Sequence, residues 1–511
     1  MSQQVLFPAR VVLATAGVAL TLLLSALDQT VVGVAMPRIA GELHGLEFYS
    51  WVITAYLVAS TATLPIAGKL GDMFGRKPFL LGGVLGFMAA SALCGVAQSM
   101  PELVVFRALQ GLFAGVLFAS TFAVLADIFP PARLAQMSGV FGAVFGISSL
   151  IGPTLGGFLT DGPGWRWAFY VNVPVGLLAV VLVAARLPWV RGTGARLAEI
   201  DWAGAATLVA GLTPLLVALS LTRDHAWTSA PVLGLLVLAA ALLIAFALIE
   251  RRVAHPIVPF AMFRSNVFAI SAVIAFFSSI GMLGTVTFVP LVYQGLLGTT
   301  ATNSGQLLTP MMLAVVVTAT PAGALMARVP RYRFIGTAAL AVMIFGLVLL
   351  AGVGARSSRW EVTRDIVIIG AGLGVTFPLT LAAVQAGLPR RLVGVGTSQI
   401  NFWRSLGGAI FTAILGSILS NRLPIAVARG AYLDPARLAA LRASLPPAAL
   451  PALDQAVAAS RAALASSLHE LFLVAAAVAG IALVATLFMR EVPLGAAAQP
   501  AVEKEVPAIA A

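Results

Sequence analysis

Long apolar runs broken by short polar stretches set the pattern of this chain. Fourteen such runs are read, at 11–36, 50–68, 79–98, 102–126, 138–159, 168–187, 202–221, 231–249, 266–293, 304–327, 334–354, 364–387, 396–420 and 469–489. Most hold about 20 residues, the length an α-helix needs to cross roughly 30 Å of hydrocarbon. The fold class that follows is an all-α polytopic membrane protein with 14 transmembrane helices. The first run is too long for a signal-peptide core and runs into an acid where a cleavage site needs small residues. It reads as an uncleaved first helix. The segments between runs are short, except 421–468, where 434–445 and 453–467 read as amphipathic helices on the outer surface.

Composition sharpens this picture. The 511 residues are 60% hydrophobic and only 10% charged, against about 25% charged in a soluble chain, so no sizeable soluble domain is present. The net charge of +12 does not point to nucleic acid, because the bases are scattered singly through short loops. With the N-terminus placed in the cytoplasm, 18 of the 31 Lys and Arg fall in cytoplasmic segments and six in short outer loops. That excess predicts both termini in the cytoplasm. Cys94 is the single cysteine, so no intramolecular disulfide can form, and His44, His225, His255 and His469 are too scattered for a metal site.

A weak internal repeat suggests how the spans are grouped. Shifting the chain by 259 residues lays Gly111, Gly115, Phe118 and Pro130 on Gly370, Gly374, Phe377 and Pro389, and a shift of 255 lays Ala67-Gly68…Arg76 on Ala322-Gly323…Arg331. The expected organisation is a six-helix bundle at 1–190, two inserted helices at 191–255, a second six-helix bundle at 256–490 carrying the loop 421–468, and a cytoplasmic tail at 491–511. Spans seven and eight carry no deep charge and are expected on the outside of the bundle, bridging the halves.

Charges at membrane depth are rare and mark function. Asp28 lies nine residues before Pro37, roughly 13 Å below the outer end of its span, and Arg107 lies about 9 Å below the same surface. The two are therefore within side-chain reach if spans one and four are neighbours. Gln110 follows one turn later. Between spans two and three, Gly68-Lys-Leu-Gly71-Asp72-Met-Phe-Gly75-Arg76-Lys77-Pro78 forms a short charged hairpin. Asp72 is expected at the start of span three, where a helix N-terminus favours an anion.

These motifs together resemble the major facilitator superfamily, and within it the fourteen-helix drug:proton antiporters. The hairpin resembles the superfamily's loop between helices two and three. That implies a conformational gate in Gly68, Gly71, Asp72, Gly75, Arg76 and Lys77, with Asp72 holding Arg76 in one of two carrier states. Leu27-Asp28-Gln29-Thr30 through Met36-Pro37 resembles the first-helix motif, although Gly33 stands where that motif has Asn. Phe106-Arg107-Ala-Leu-Gln110-Gly111 resembles the fourth-helix motif, whose arginine is linked to proton transfer, so the resemblance implies proton coupling by Asp28 and Arg107. Gly142, Gly146, Gly152, Pro153, Gly156 and Gly157 resemble the fifth-helix motif of exporters, which favours antiport over uptake. Trp165-Arg166-Trp167-Ala-Phe169-Tyr170-Val-Asn172 is similar to the sixth-helix entry, and Asn401-Phe402-Trp403-Arg404 to span thirteen.

The function implied is a proton-coupled multidrug exporter of lipophilic, cationic or amphipathic compounds, working by alternating access. It would need no cofactor beyond the proton gradient and no metal. Its partners would be the substrate, protons and the lipid bilayer of a bacterial inner membrane, with no nucleic acid, and it would act as a monomer. Candidates for the substrate cavity are Tyr56, Gln110, Phe288, Tyr293, Phe377, Asn401 and Arg404, with Phe276, Phe277, Met282, Thr285, Gln294 and Gln385. Arg404 either lines the cavity or packs structurally. No acid falls deep within spans 9–14, so dicationic substrates are disfavoured. The alternatives are an exporter of a lipid, siderophore or peptide metabolite, and a polytopic membrane enzyme. The latter lacks the clustered acids, metal set or nucleophile–base pair it would need.

Overall fold

The computed structural model describes residues 9–44, 48–129, 151–152, 154–189, 201–222, 225–253, 256–297, 308–329, 332–354, 356–389, 392–422, 442–446 and 449–492, with the isolated positions 137, 144, 147 and 148. Its helices are α1 (Ala9–Glu42), α2 (Tyr49–Phe74), α3 (Arg76–Val96), α4 (Met100–Ile128), the short α5 (Trp167–Tyr170) and α6 (Asn172–Arg186). There follow α7 (Trp202–Leu221), α8 (Ala230–Glu250), α9 (Asn266–Leu291), α10 (Thr309–Arg328), α11 (Tyr332–Ala351), α12 (Arg359–Gly387), α13 (Val393–Arg422) and α14 (Leu450–Leu487). Among the described residues 13 helices are long and apolar enough to cross a membrane. The fifth run is helical at 151–152 and 154–161, while Gly142, Gly146 and Pro153 lie outside the described residues.

Helices α1–α4 and α6 pack on one another, and so do α9–α14. The two groups meet where α13 crosses α2 and α4. Within each group one contact recurs. Gly111 and Gly115 of α4 lie against the carbonyls of Tyr56 and Ser60 on α2, and Gly370 and Gly374 of α12 lie against those of Met311 and Val315 on α10. A Cβ at any of the four would strike backbone, so only glycine lets these helices approach so closely. The facing carbonyls are 255 residues apart (311 − 56 and 315 − 60) and the glycines 259 apart (370 − 111 and 374 − 115). Those are the two offsets of the sequence repeat.

Two expected boundaries are corrected. The hairpin after span two is a single residue: α2 runs through Asp72 to Phe74, the chain turns at Gly75 with φ 94°, and α3 begins at Arg76. That left-handed backbone is open to glycine at little cost. Asp72 therefore sits in the last turn of α2, and α3 has no side-chain cap at its N-terminus. The second correction is α14, which spans 38 residues. Residues 453–467 continue the final span instead of forming a separate surface helix. From Leu453 to Ala479 there is no glycine or proline to end a helix.

Span seven also departs from expectation. As α7 it does bridge the halves, packing on both α2 and α13, with α8 outside it. But its residues Leu216, Leu219 and Ser220 form part of the wall of the central cavity. The sequence counted only deep charges, and the end of α7 reaches the cavity with leucines and a serine.

Candidate functional site

Three structures make up the site: a buried ion pair, a closed contact at one end of the bundle, and a cavity between the halves. Asp28 of α1 is fully buried. Its Oδ2 accepts from Arg107 Nη1 at 2.6 Å, and its Oδ1 accepts from Gln110 Nε2 and Asn172 Nδ2, both at 2.8 Å. The same two amides donate to Ser91 Oγ at 3.0 and 2.9 Å, and Ser91 Oγ donates to the Phe169 carbonyl at 2.9 Å. Arg107 Nη1 also donates to Gln110 Oε1 at 2.6 Å, and the guanidinium lies 4.2 Å from the Tyr56 ring centroid.

The local sequence explains the assembly. Arg107 and Gln110 are three apart on α4 and so share a face. The glycines at 111 and 115 bring α2 close enough for Tyr56 to cover the guanidinium. Asn172 opens α6 just after the break at Val171. From the other side Gly156 lies 2.9 Å, measured from where its Cβ would be, from the Val31 carbonyl, and Gly152 faces the Thr30 side chain. Those two glycines seat the fifth run on α1 beside Asp28, whereas Gly157 has no such neighbour.

The closed contact lies at the end of the bundle carrying Arg76 and Lys77. Arg76 binds Asp72 at 2.9 Å and Asp127 of α4 at 2.8 Å, and donates to the Ala123 carbonyl. The Asp72 carboxylate faces the N-terminus of α13: a Cβ on Gly394 would lie 2.5 Å from its Oδ1, and the N–H of Val395 points toward it. An anion does stabilise a helix N-terminus here, but the helix belongs to the other group. Gly68 meets Ser398 of α13 in the same contact. Gly71 lies against the Phe79 ring. Lys77 instead donates to the Ala184 and Leu187 carbonyls at the end of α6, both at 2.8 Å.

The cavity, about 470 Å3, lies between the groups. Leu22 and Gln29 of α1, Thr54 and Leu57 of α2 and Phe118 of α4 face Met282 of α9, Phe377 of α12 and Asn401 and Arg404 of α13 across it. Arg404 lies in the wall. Its guanidinium stacks 4.0 Å from the Phe377 ring centroid and donates to Thr380 Oγ1 at 2.9 Å and Asn401 Oδ1 at 3.1 Å.

Other cavity candidates sit elsewhere. Tyr56 and Gln110 belong to the ion-pair shell. Tyr293 bonds Thr363 at 3.0 Å, and Phe276, Phe277, Phe288, Thr285 and Gln385 pack outside the wall. The side chain of Gln294 lies outside the described residues. Helical periodicity marks both the ion-pair face and the cavity face as polar and cannot tell them apart.

Sequence reasoning also missed partners. Ser91 and Asn172 carry no charge to draw the eye, though each interrupts an apolar run. Asp201 and Glu250, at the ends of α7 and α8, are buried around Gly204: Asp201 Oδ1 accepts from the Gly204 N–H at 2.7 Å and Glu250 Oε1 from the Ile257 N–H at 3.0 Å. Lys69 reaches the same corner, donating to the Pro256 carbonyl at 3.0 Å.

The chain matches the model of the Major Facilitator Superfamily over residues 18–412. It is 40% identical over 407 residues to the multidrug transporter protein MdtP of Bacillus subtilis (strain 168), covering 80% of this chain and 75% of that one. Against multidrug resistance protein 3 of the same strain it is 37% identical over 406 residues, covering 79% of each. Among solved structures, the human organic anion transporter MFSD10 aligns with a TM-score of 0.60, over 92% of this chain and 100% of that one. At 15% identity that is a likeness of fold alone, and its cargo is not carried over.

Proposed function

Since the chain belongs to the major facilitator superfamily, and so is a transporter and not an enzyme, we propose that it is a proton-coupled exporter of lipophilic, amphipathic, drug-like compounds. Within the superfamily we assign it to the fourteen-helix drug:proton antiporters, built as two six-helix halves with α7 and α8 inserted. The observation that carries this reading is the burial of Asp28 on the same helix as two cavity residues. Asp28 sits in the shell of Arg107, Gln110 and Asn172, while Leu22 and Gln29 of α1 face the cavity.

The cycle follows from that placement. A proton on Asp28 cancels the charge that holds Arg107, so the α1–α4 contact loosens. Because Gln29 is the next residue, the change is felt at the cavity wall without the proton and substrate sharing one site. The excess of basic loops puts the end carrying Asp72 in the cytoplasm. The contact of Asp72 and Gly68 with α13 is then the closed cytoplasmic gate, and the cavity serves the outer side. Parting the halves at that gate would hydrate Ser398 Oγ, which has no hydrogen-bond partner in the closed contact. A ligand drives such a cycle only through different affinities for the two states.

The test is transport in proteoliposomes under an imposed proton gradient. Asp28→Asn keeps the shape and most donors, so the fold should persist while gradient-driven accumulation disappears. Accumulation against a gradient at the wild-type level in that variant would remove Asp28 from the mechanism.

A further inference from the structure

The cavity wall is electrostatically one-sided. Among the described residues no Asp or Glu lines it, and Arg404 is its one charged side chain. Arg404 lies eleven residues into the 30-residue α13, about 16 Å along the helix and so near the middle of the membrane. Its partners among the described residues, Thr380 Oγ1, Asn401 Oδ1 and the face of Phe377, are all neutral. No carboxylate among the described residues comes within salt-bridge distance of it. The other deep arginine is different. Arg107 is neutralised by Asp28 at 2.6 Å and does not line the cavity.

A cation at membrane depth calls for a counter-anion, and here the described residues supply none. From this we infer that the substrates are amphipathic organic anions: a drug-sized apolar, largely aromatic body bearing one acidic group, which Arg404 receives. The inference rests on the exporter reading above and names the substrate class of that cavity. Thr380 and Asn401 hold the guanidinium in place, and Phe377 covers one face, which leaves its charge directed along the wall toward whatever fills the space. A planar guanidinium matches a carboxylate or sulfonate with paired, charge-assisted hydrogen bonds. Leu57, Phe118 and Met282 suit an apolar body, and a cavity of about 470 Å3 is of drug-ligand size. A cationic compound would enter the same space facing an uncompensated like charge.

The experiment uses the full-length protein in nanodiscs of zwitterionic lipid and three probes on one anthracene body, bearing a carboxylate, a carboxamide or a trimethylammonium group. Fluorescence titration should give the carboxylate a Kd at least tenfold below that of the carboxamide, with the cation weakest. Arg404→Gln should collapse the carboxylate-to-carboxamide ratio to within threefold, and Arg404→Lys should keep part of it. The wild-type ranking needs no variant to fold. A cation bound as tightly as the carboxylate, a ratio that survives Arg404→Gln, or binding of none of the three overturns the inference. Proteoliposome transport of the same probes separates the two readings. Proton-driven movement of the cation alone sinks the anion class and leaves export standing. Proton-driven movement of none of them sinks the exporter reading, while the binding order still decides the role of Arg404.

Discussion

Asp28 accepts three hydrogen bonds from two helices, and only one of the donors is charged. The arginine supplies the opposite charge, and Gln110 and Asn172 hold the carboxylate in one orientation. Losing one hydrogen bond to a charged group costs about 1.5–3 kcal/mol. Asn172 is absent from the cavity wall, so that loss should fall on the proton step and not on substrate binding. Asn172→Ala is therefore expected to slow proton-driven efflux about tenfold or more with KM within about threefold of wild type. A raised KM with unchanged turnover would place Asn172 in substrate binding instead. At this scale the sequence was most readable where a charge interrupts an apolar run: Asp28 and Arg107 could be paired from their depths alone. Neutral polar residues gave no such signal, because Ser, Thr and Asn also occur in membrane helices simply to satisfy their own backbone. Of the seven side-chain hydrogen bonds given above for the ion-pair shell, only the Asp28–Arg107 bond is expected from the sequence.

Helices were legible as runs, but not their ends or their faces. Apolar length predicts that a segment spans and says little about where the helix stops in water. Hence α2 continues five residues past the polar Lys69, and α14 begins well before its apolar part. The partner of Asp72 was hidden for a related reason. A carboxylate near the end of one helix was assigned to the next helix in sequence, while the structure turns it toward α13, more than 300 residues on. The contact leaves no room at Gly394, where a Cβ would meet Asp72 Oδ1 and Arg76 Nη2 at 2.5 Å. Gly394→Val is expected to prise the two groups apart at this end and favour the state open there. Hydrogen exchange followed by mass spectrometry should show faster exchange in segments 66–76 and 388–402 of the variant than of the wild type. Equal exchange in both segments would mean that the contact does not gate the carrier.

Across the whole molecule the two halves share packing but not charge. The same glycine-on-carbonyl contact joins α4 to α2 and α12 to α10, which is why a faint sequence repeat at two slightly different offsets could be read at all. Chemistry breaks the symmetry. One half holds a compensated pair, Asp28 with Arg107, and the other holds Arg404 with no counter-charge among the described residues. If one proton enters through the first while one substrate leaves past the second, the charge moved per cycle depends on the substrate. A neutral compound carries one positive charge inward per cycle, a monovalent cation none, and a monovalent anion two. Each charge is worth about 2.3 kcal/mol per 100 mV of membrane potential, so an anion gains about 4.6 kcal/mol from 100 mV, roughly a 2,000-fold gradient. A cation gains nothing from the potential and relies on the pH difference. Proteoliposomes clamped with valinomycin and graded potassium separate these cases. At fixed pH difference, anion accumulation should rise most steeply with potential, the neutral compound about half as steeply in logarithmic terms, and a cation not at all. Accumulation of the anion that ignores the potential would show that proton and substrate charges are not moved in the exchange described, whatever the affinity of Arg404 for the anion.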